Sequence, residues 1–598
     1  MGNYLDQTWL AYALDGPADQ QRVDAGLDRV ERHYQQLYPE TLRRDACGDG
    51  TMGMALWQRP GKHLRWPLWT DTDAGQMAST SALAGWRRVA PDASPQSAPG
   101  VVAAEVLARP EVVFRMNPPF VLAVHTPRRM VIANDVIGTG RLFELRWGRG
   151  AAWSNRLGAL PVFAGIGPRA DERAWGVLAA AGWFLGELTA IEGVRQLPPA
   201  SIVEVIREAD SLSISGRRGM AALEELVGPR RARVGKSAKA AAEGARALLR
   251  DVGEVWDQPL DVDLSGGRDS RLSAAAAIAV GTDVEMRTAD LEFGEVDVVN
   301  QLLEAAPSRI PSRVEEAEEE PDDTLAARAA HLHAAHDGMR NPQSLLRMPL
   351  PIPHPPRGRP SISGHGGELG HGFYYGSPKK LERLREGGDE AVVERLVQLA
   401  RKKRGAARPQ SMDAYSEEVL TTMAEAAELG VEGPSRLDYY YLAQRLSNRS
   451  GLTTRNDRWS ACSTLEFVRA CFDLTPEERL EDRLHALVIG SLVPEWKDVP
   501  FYEAESSSLR ETKQVRIWEK AGHSEELARV IAQDESWHTL FHPEIIRAMW
   551  SEALAGEARN YFEPTFTRVA WRASFDEHLR VLARAGVGPR GGLGVARG

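Results

Sequence analysis

The chain has 598 residues, 43% of them hydrophobic and 26% charged, and carries a net charge of −10. That length exceeds one hydrophobic core, so two or more domains of a soluble globular protein are expected. The negative charge argues against a nucleic-acid binder. The three cysteines (Cys47, Cys462, Cys471) show no zinc or C-x-x-C spacing, which suits a reducing cytoplasm. No basic segment followed by a long apolar core opens the chain, and no run of about 18 apolar residues occurs, so neither secretion nor a membrane span is expected.

Residues 1–215 read as short apolar runs broken by Gly, Pro and polar clusters. Val101 to Leu107, Val112 to Met116, Val121 to His125 and Met130 to Asn134 suit a β-rich antiparallel domain with a few helices. From Gly216 to Glu254 the composition shifts to Ala, Arg, Glu and Leu at helical spacing, the entry to a second domain over 216–585. There the pattern alternates: a strand at Leu260 to Leu264, a helix after Ser270, a strand at Val284 to Thr288 and a helix through Val296 to Ala305. Such alternation predicts an α/β fold with a parallel sheet. The acidic run Glu315 to Asp323 reads as a solvated connection, and the cluster Pro349 to Pro360 as an extended loop. Residues 377–447 are helical and charged, and their basic run Arg401 to Arg404 is either a solvated helix end or a contact for an acidic peptide. The Gly- and Arg-rich tail, 586–598, is expected to be disordered.

Chemistry concentrates at Leu264-Ser265-Gly266-Gly267-Arg268-Asp269-Ser270, between a strand signal and an alanine-rich helix signal. Two glycines permit close backbone approach, and a helix start offers free N–H groups to an anion, which together make a polyphosphate cradle. Ser265 and Ser270 add hydroxyls, whereas a carboxylate at Asp269 suits Mg²⁺ held against the phosphates. The plain alternative is a Gly-rich turn with surface polar residues. A second such turn, Ser363-Gly364-His365-Gly366-Gly367-Glu368, pairs a candidate base, His365, with a possible second magnesium carboxylate, Glu368. Further on, Glu466 stands among apolar residues and needs a partner. It either orients His365 or forms a structural ion pair with Arg469 or Arg455. His331, His333 and His336 lack a metal-site pattern and read as helix surface.

The motifs S-G-G-R-D-S at 265–270, S-G-H-G-G-E at 363–368 and L-E-F-V-R-A-C-F-D at 465–473 resemble those of the asparagine synthetase superfamily. Val131 to Gly138 and Thr189 to Pro199 resemble segments of that family's glutaminase half. The resemblance implies a vestigial glutaminase-like N-terminal domain and a synthetase domain that binds ATP through Leu264, Ser265, Gly266, Gly267, Asp269, Ser270, Thr288, Ser363 and Gly364. It places Mg²⁺ on Asp269 and Glu368, and His365 and Glu466 at the catalytic centre. The implied reaction adenylates a carboxylate, after which an amine displaces AMP. Glutamine-dependent members carry a cysteine at position 2, where this chain has Gly2, so glutaminase activity is expected to be absent. The family's catalytic lysine falls near Val499 or Pro500, with Lys497 the nearest lysine.

Length, the reduced first half and R-D-S-R-L after Ser-Gly-Gly together resemble the actinobacterial lasso peptide cyclases of that superfamily. This implies ring closure between an Asp or Glu side chain and the N-terminus of a precursor peptide. It also implies a leader-binding protein and a leader peptidase as partners. A small-molecule synthetase of the same superfamily, or a non-catalytic peptide-binding scaffold, are the alternatives.

Overall fold

The computed structural model describes all residues except 1–6, 17, 39, 60–63, 149, 209–210, 231, 291–293, 316–323, 348–358, 402–404, 450–456, 503–515 and 588–598. Gly2, Arg455, residues 402–404 of the basic run, and most of the acidic run, proline cluster and tail singled out above therefore lie outside the described residues.

Two six-stranded antiparallel sheets form the first part of the chain. One runs in the order Val194–Gln196, Phe143–Trp147, Gly150–Ser154, Gln7–Leu14, Met52–Gln58, Arg43–Gly48. The other runs Leu212–Arg218, Ser201–Arg207, Arg129–Asn134, Val121–His125, Gly75–Ser79, Trp69–Thr72. All eight residues of Gln7–Leu14 are buried, and they alternate between two cores. Trp9, Ala11 and Ala13 point into the core shared with the second sheet, while Leu10, Tyr12 and Leu14 point under a helical layer. A period of two on a strand buried on both faces produces this division.

The β-rich expectation holds in part. Val121–His125 and Arg129–Asn134 do pair as an antiparallel hairpin, from Val121 opposite Asn134 to His125 opposite Met130. Val101 to Leu107, however, lies in the helix Ala98–Ala108, and Val112 to Met116 falls largely in the 3₁₀ turn Pro110–Arg115. Pro99 in the first turn and the alanines at 103, 104 and 108 favour the helix, and Val102 and Val106 share its buried face at a spacing of four.

Five parallel strands make the third sheet, ordered Ser312–Glu315, Val284–Ala289, Leu260–Asp263, Ser361–Ser363, Arg458–Ser460. Numbered along the chain this is 3-2-1-4-5, so the winding reverses between Leu260–Asp263 and Ser361–Ser363. A crevice opens at the carboxyl ends of strands at such a reversal. Leu260 and Val262 are buried, whereas Asp261 and Asp263 on the other face meet arginines of other strands of the sheet. Arg313 reaches Asp261 at 3.1 Å, Arg458 reaches Asp263 at 2.6 Å, and Arg287 also pairs with Asp263.

The helices Ala521–Gln533, Pro543–Leu554 and Phe562–Val587 do not extend the parallel-sheet core. Leu527, Ile546, Phe566, Phe575 and Leu582 join Leu10 and Tyr12 under the first antiparallel sheet. The C-terminal part of 216–585 is thus an outer layer of the first region, because that sheet's outer face is where their apolar stripes find cover. Among the described residues no helix is long and apolar enough to cross a membrane.

Candidate active site

Both glycine-rich loops leave the parallel sheet at its carboxyl edge, on the two strands that flank the reversal. After Leu260–Asp263, Leu264 donates its N–H to Arg287 O at 2.9 Å, and Thr288 Oγ1 donates to Leu264 O at 2.9 Å, latching two strand ends together. Ser265 Oγ and Ser270 Oγ lie 2.8 Å apart, and Ser265 Oγ accepts from Gly267 N at 3.2 Å. Buried Arg271 then braces the loop by donating to Gly266 O at 2.8 Å and to Val499 O and Pro500 O at 2.8 and 2.9 Å.

Gly267 is the N-cap of the helix Arg268–Val280, which begins two residues before Ser270 and has no side-chain cap. Its first N–H groups are therefore open to an anion. The backbone of Gly267 (φ −70°, ψ 178°) suits any residue, and a Cβ there would meet, among the described residues, only Ser265 Oγ, at 3.3 Å. Packing of the described residues leaves room at this position for a ligand to approach.

The second loop closes on the first. A Cβ at Gly364 would come within 2.6 Å of the Asp269 carbonyl carbon, and one at Gly367 would overlap the Asp269 side chain. Only glycines let the two loops touch here. Ser363 is fully buried, and its carbonyl accepts from Ser273 Oγ at 2.7 Å. Glu368 accepts a hydrogen bond from the Tyr441 hydroxyl. Tyr441 begins the π-helical turn Tyr441–Leu446, a wide turn of a kind that often marks functional sites.

Asp269 also touches residues that the motifs do not name. His485 Nε2 lies 3.1 Å from Asp269 Oδ1 and His371 Nε2 lies 4.0 Å from it, while His485 Nδ1 hydrogen-bonds Asp482 at 2.8 Å. Burial by itself would push the His485 pKa down, but contact with Asp269 and Asp482 outweighs it and holds the ring well above its ordinary value. Burial likewise opposes the Asp269 carboxylate, yet His485, then His371 and Arg268, keep its pKa below the usual range. A Cβ at Gly370 would lie 2.7 Å from the His485 ring, so this glycine makes room for it.

His365 is not the near-neutral base expected. Its Nδ1 lies 2.9 Å from Ser363 Oγ; burial and then the Arg458 charge push its pKa down to about 3, only partly offset by Asp263. The ring is neutral at neutral pH. With the Ser363 hydroxyl directed to Trp459 O at 3.4 Å, Nδ1–H faces Ser363 and Nε2 is left as an acceptor.

Glu466 is not the partner of His365. Arg88 from the first region donates to both its carboxylate oxygens, at 2.8 and 3.0 Å, while Arg469 is taken by Asp473. Glu466 lies in the first turn of the helix Leu465–Asp473, against Gly244 of the helix Val234–Val255, which turns it toward Arg88. Lys497 caps a 3₁₀ turn and is exposed. His333 and His336 are not surface residues: both are buried, and His333 stacks on Trp571 at 3.8 Å because the helix Leu325–His336 is covered by Phe562–Val587.

Asp269 Oδ1 is buried and accepts no aligned hydrogen bond among the described residues. Asp269 and Glu368 project from loops that touch, which fits the sparse protein coordination typical of Mg²⁺, one or two carboxylates completed by phosphate oxygens. No group of three or more His, Cys, Asp or Glu side chains forms a complete metal site among the described residues. Sequence patterns missed Tyr441, His371, Asp482 and His485. The Asp482–His485 spacing of three on a helix is the one local signal that could have suggested a pair. No protein-family model matches the chain, and no curated protein matches it.

Proposed function

We propose that the chain is an ATP-dependent, AMP-forming carbon–nitrogen ligase that closes a macrolactam between a peptide's side-chain carboxylate and its own N-terminus, as the resemblance to lasso peptide cyclases implies. The observation that carries this reading is the meeting of two glycine loops at the sheet reversal, with Asp269 between them and the open helix start at Gly267 beside it. In this reading the first region is a glutaminase-like domain without that activity, the second an ATP-binding synthetase domain, and the setting cytoplasmic. A leader-binding protein and a leader peptidase would deliver the peptide.

Amide formation from a carboxylate needs a leaving group on oxygen, and adenylation supplies one with release of pyrophosphate. Gly267 and the N–H groups of Arg268 and Asp269 would face the phosphates, where fixed dipoles stabilise charge without reorganising. Asp269 and Glu368 would hold Mg²⁺, which when bound neutralises phosphate charge. The cationic His485, anchored by Asp482, fixes the rotamer of Asp269. His365 Nε2 would accept a hydrogen bond from the attacking amine and orient it.

The test incubates the protein with ATP, Mg²⁺ and a leaderless candidate peptide. AMP, pyrophosphate and a peptide lighter by one water are expected; ADP, or AMP without peptide dehydration, overturns the macrolactam reading. His365→Ala should spare pyrophosphate release and slow ring closure, and an unchanged closure rate would remove His365 from the reaction.

A further inference from the structure

Beside this site lies a cavity of about 240 Å³ enclosed by three parts of the chain. Ala180–Trp183 of the first region form one wall, Tyr440, Arg445 and Arg449 a second, and Thr567 and Arg568 of the C-terminal helix a third. It adjoins the reacting loops through the π-helical turn, which carries Tyr441 to Glu368 and Arg445 to the cavity.

The charge of this cavity is one-sided. Among the described residues three arginines line it and no carboxylate does. Arg445 stacks on Phe373 at 4.2 Å and faces Trp183 at 5.8 Å, and it forms no ion pair with a carboxylate among the described residues. Arg568 is 7% exposed and donates only to carbonyls, those of Ala179, Ala180 and Ala181 at 2.9, 3.3 and 3.3 Å. Arg449 lies 5.5 Å over Trp183 and donates to Gln343 at 3.1 Å. Tyr374 is 7% exposed, and its hydroxyl lies beside Arg445 with its proton free to be donated. Burial beside Arg449 pushes the Arg568 pKa down to about 9, which still leaves it a cation at neutral pH.

Arg568 is buried and Arg445 half-buried, neither is paired with a carboxylate among the described residues, and an entering anion relieves the cost of such burial. Guanidinium forks match a carboxylate, and the Tyr374 hydroxyl can add a donor. The aromatic and leucine walls, Trp183, Tyr440 and Leu396 among them, suit an apolar neighbour of that carboxylate rather than a free inorganic anion. We propose that this cavity is a peptide-anchoring subsite that takes a second carboxylate of the substrate, distinct from the one activated, with an adjacent apolar side chain. The proposal rests on the peptide-ligase reading above. Anchoring there would hold one part of the chain while the ring-forming residues meet at Asp269 and Glu368.

Equilibrium binding without ATP or Mg²⁺ tests this separately from catalysis. N-acetyl-glycyl-phenylalanine as free acid, the same compound as its amide, and N-acetyl-glutamyl-phenylalanine amide are titrated into the full chain by calorimetry. At least one carboxylate probe is expected to bind about tenfold tighter than the uncharged amide. The acid that binds tells whether a chain terminus or an acidic side chain is the source. Arg445→Gln and Arg449→Gln, each checked for native unfolding, should both weaken that probe by about tenfold. Equal affinity for acid and amide, no binding by any probe, indifference to both substitutions, or displacement of the probe by pyrophosphate or AMP overturns the subsite. If that happens while peptide dehydration with AMP release persists, the ligase reading stands without it. Arginine-dependent binding with no AMP formed from any peptide would leave an anchoring site and remove the ligase.

Discussion

Two aspartates, one in the turn after a strand and one in the first turn of the helix after a strand, separate the antiparallel region from the parallel one. Asp135 follows Arg129–Asn134 and is wholly buried; its carboxylate accepts the N–H groups of Phe120, Ile137, Thr139 and Gly140 at 3.2, 3.1, 3.1 and 2.5 Å. Asp269 follows Leu260–Asp263 by six residues, and its buried Oδ1 accepts no aligned hydrogen bond among the described residues. The nearby glycines differ in the same way. A Cβ at Gly140 would overlap the backbone of Phe120, whereas one at Gly267 would meet, among the described residues, only Ser265 Oγ. Asp135 and Gly140 are saturated by their own fold, whereas Asp269, with His485 Nε2 at 3.1 Å as its nearest cation, and Gly267 keep capacity for something that is not protein.

The substitution Asp269→Asn should open the widest gap. It removes a charge without removing the shape, so the fold should be retained while pyrophosphate release falls about a thousandfold. Pyrophosphate measured under saturating ATP checks it, and a fall of less than tenfold would break the contrast. Asp135→Ala should do the opposite. Four backbone donors lose their acceptor, costing about 3 kcal/mol in urea unfolding, with the residual activity per folded molecule preserved.

Much of this contrast was legible locally. L-D-V-D-L announces a strand with one buried face, and S-G-G before an alanine run announces the turn and helix that follow. That the sheet would be parallel then followed from alternation. What was not legible depends on distant partners: Tyr441 meets Glu368 across 73 positions, and Arg88 meets Glu466 across 378. A π-helical turn has no sequence signature that announces it, and the burial of His333 depends on a helix more than two hundred residues away. Val101 to Leu107 failed for a different reason. Valines pattern like a strand, but Pro99 and three alanines had already settled the backbone as a helix.

Acid should test the core of the first sheet next. His33, His333 and His336 lie in or beside the core of the first sheet, and burial is the main reason their pKa values fall, to about 4 for His33. Around His33 stand Asp337, which opposes the shift, and His578 and Arg156, which add to it. A depressed histidine stays neutral in the fold, while the unfolded chain takes up its proton below about pH 6.5. Stability is therefore full above that pH and is lost as pH falls toward the folded value. Each such histidine contributes about 1.4 kcal/mol per pH unit to the slope. Asp337, whose pKa is lowered, begins to lose stability only below about pH 3.9. Urea midpoints at pH 7 and 5 should differ, and His33→Gln should flatten the dependence by one histidine's share. A pH-independent midpoint over that window would contradict neutral burial.

Gly267→Ala should have a smaller effect, and only on ligand. With no strain and one contact at 3.3 Å, stability should stay within about 0.5 kcal/mol, while ATP affinity drops about tenfold as the methyl meets the phosphates. Gly367→Ala is its counterpart, since the overlap with Asp269 should lower stability and activity together.

The smallest effect belongs to Glu466→Gln, and it decides what joins the two regions at that point. Arg88 and Glu466 are 24% and 32% exposed, and a pair so solvated is worth about 0–1 kcal/mol. If Glu466 served His365, its loss would slow ring closure while adenylation continued. Because both its oxygens face Arg88, the expected result is a slight drop in urea midpoint that high salt erases, with the rates of pyrophosphate release and ring closure unchanged. The double substitution with Arg88→Gln should then cost no more than Arg88→Gln alone, which also removes the bonds from Arg88 to Arg115 O at 2.9 Å and to Asn117 Oδ1 at 3.3 Å.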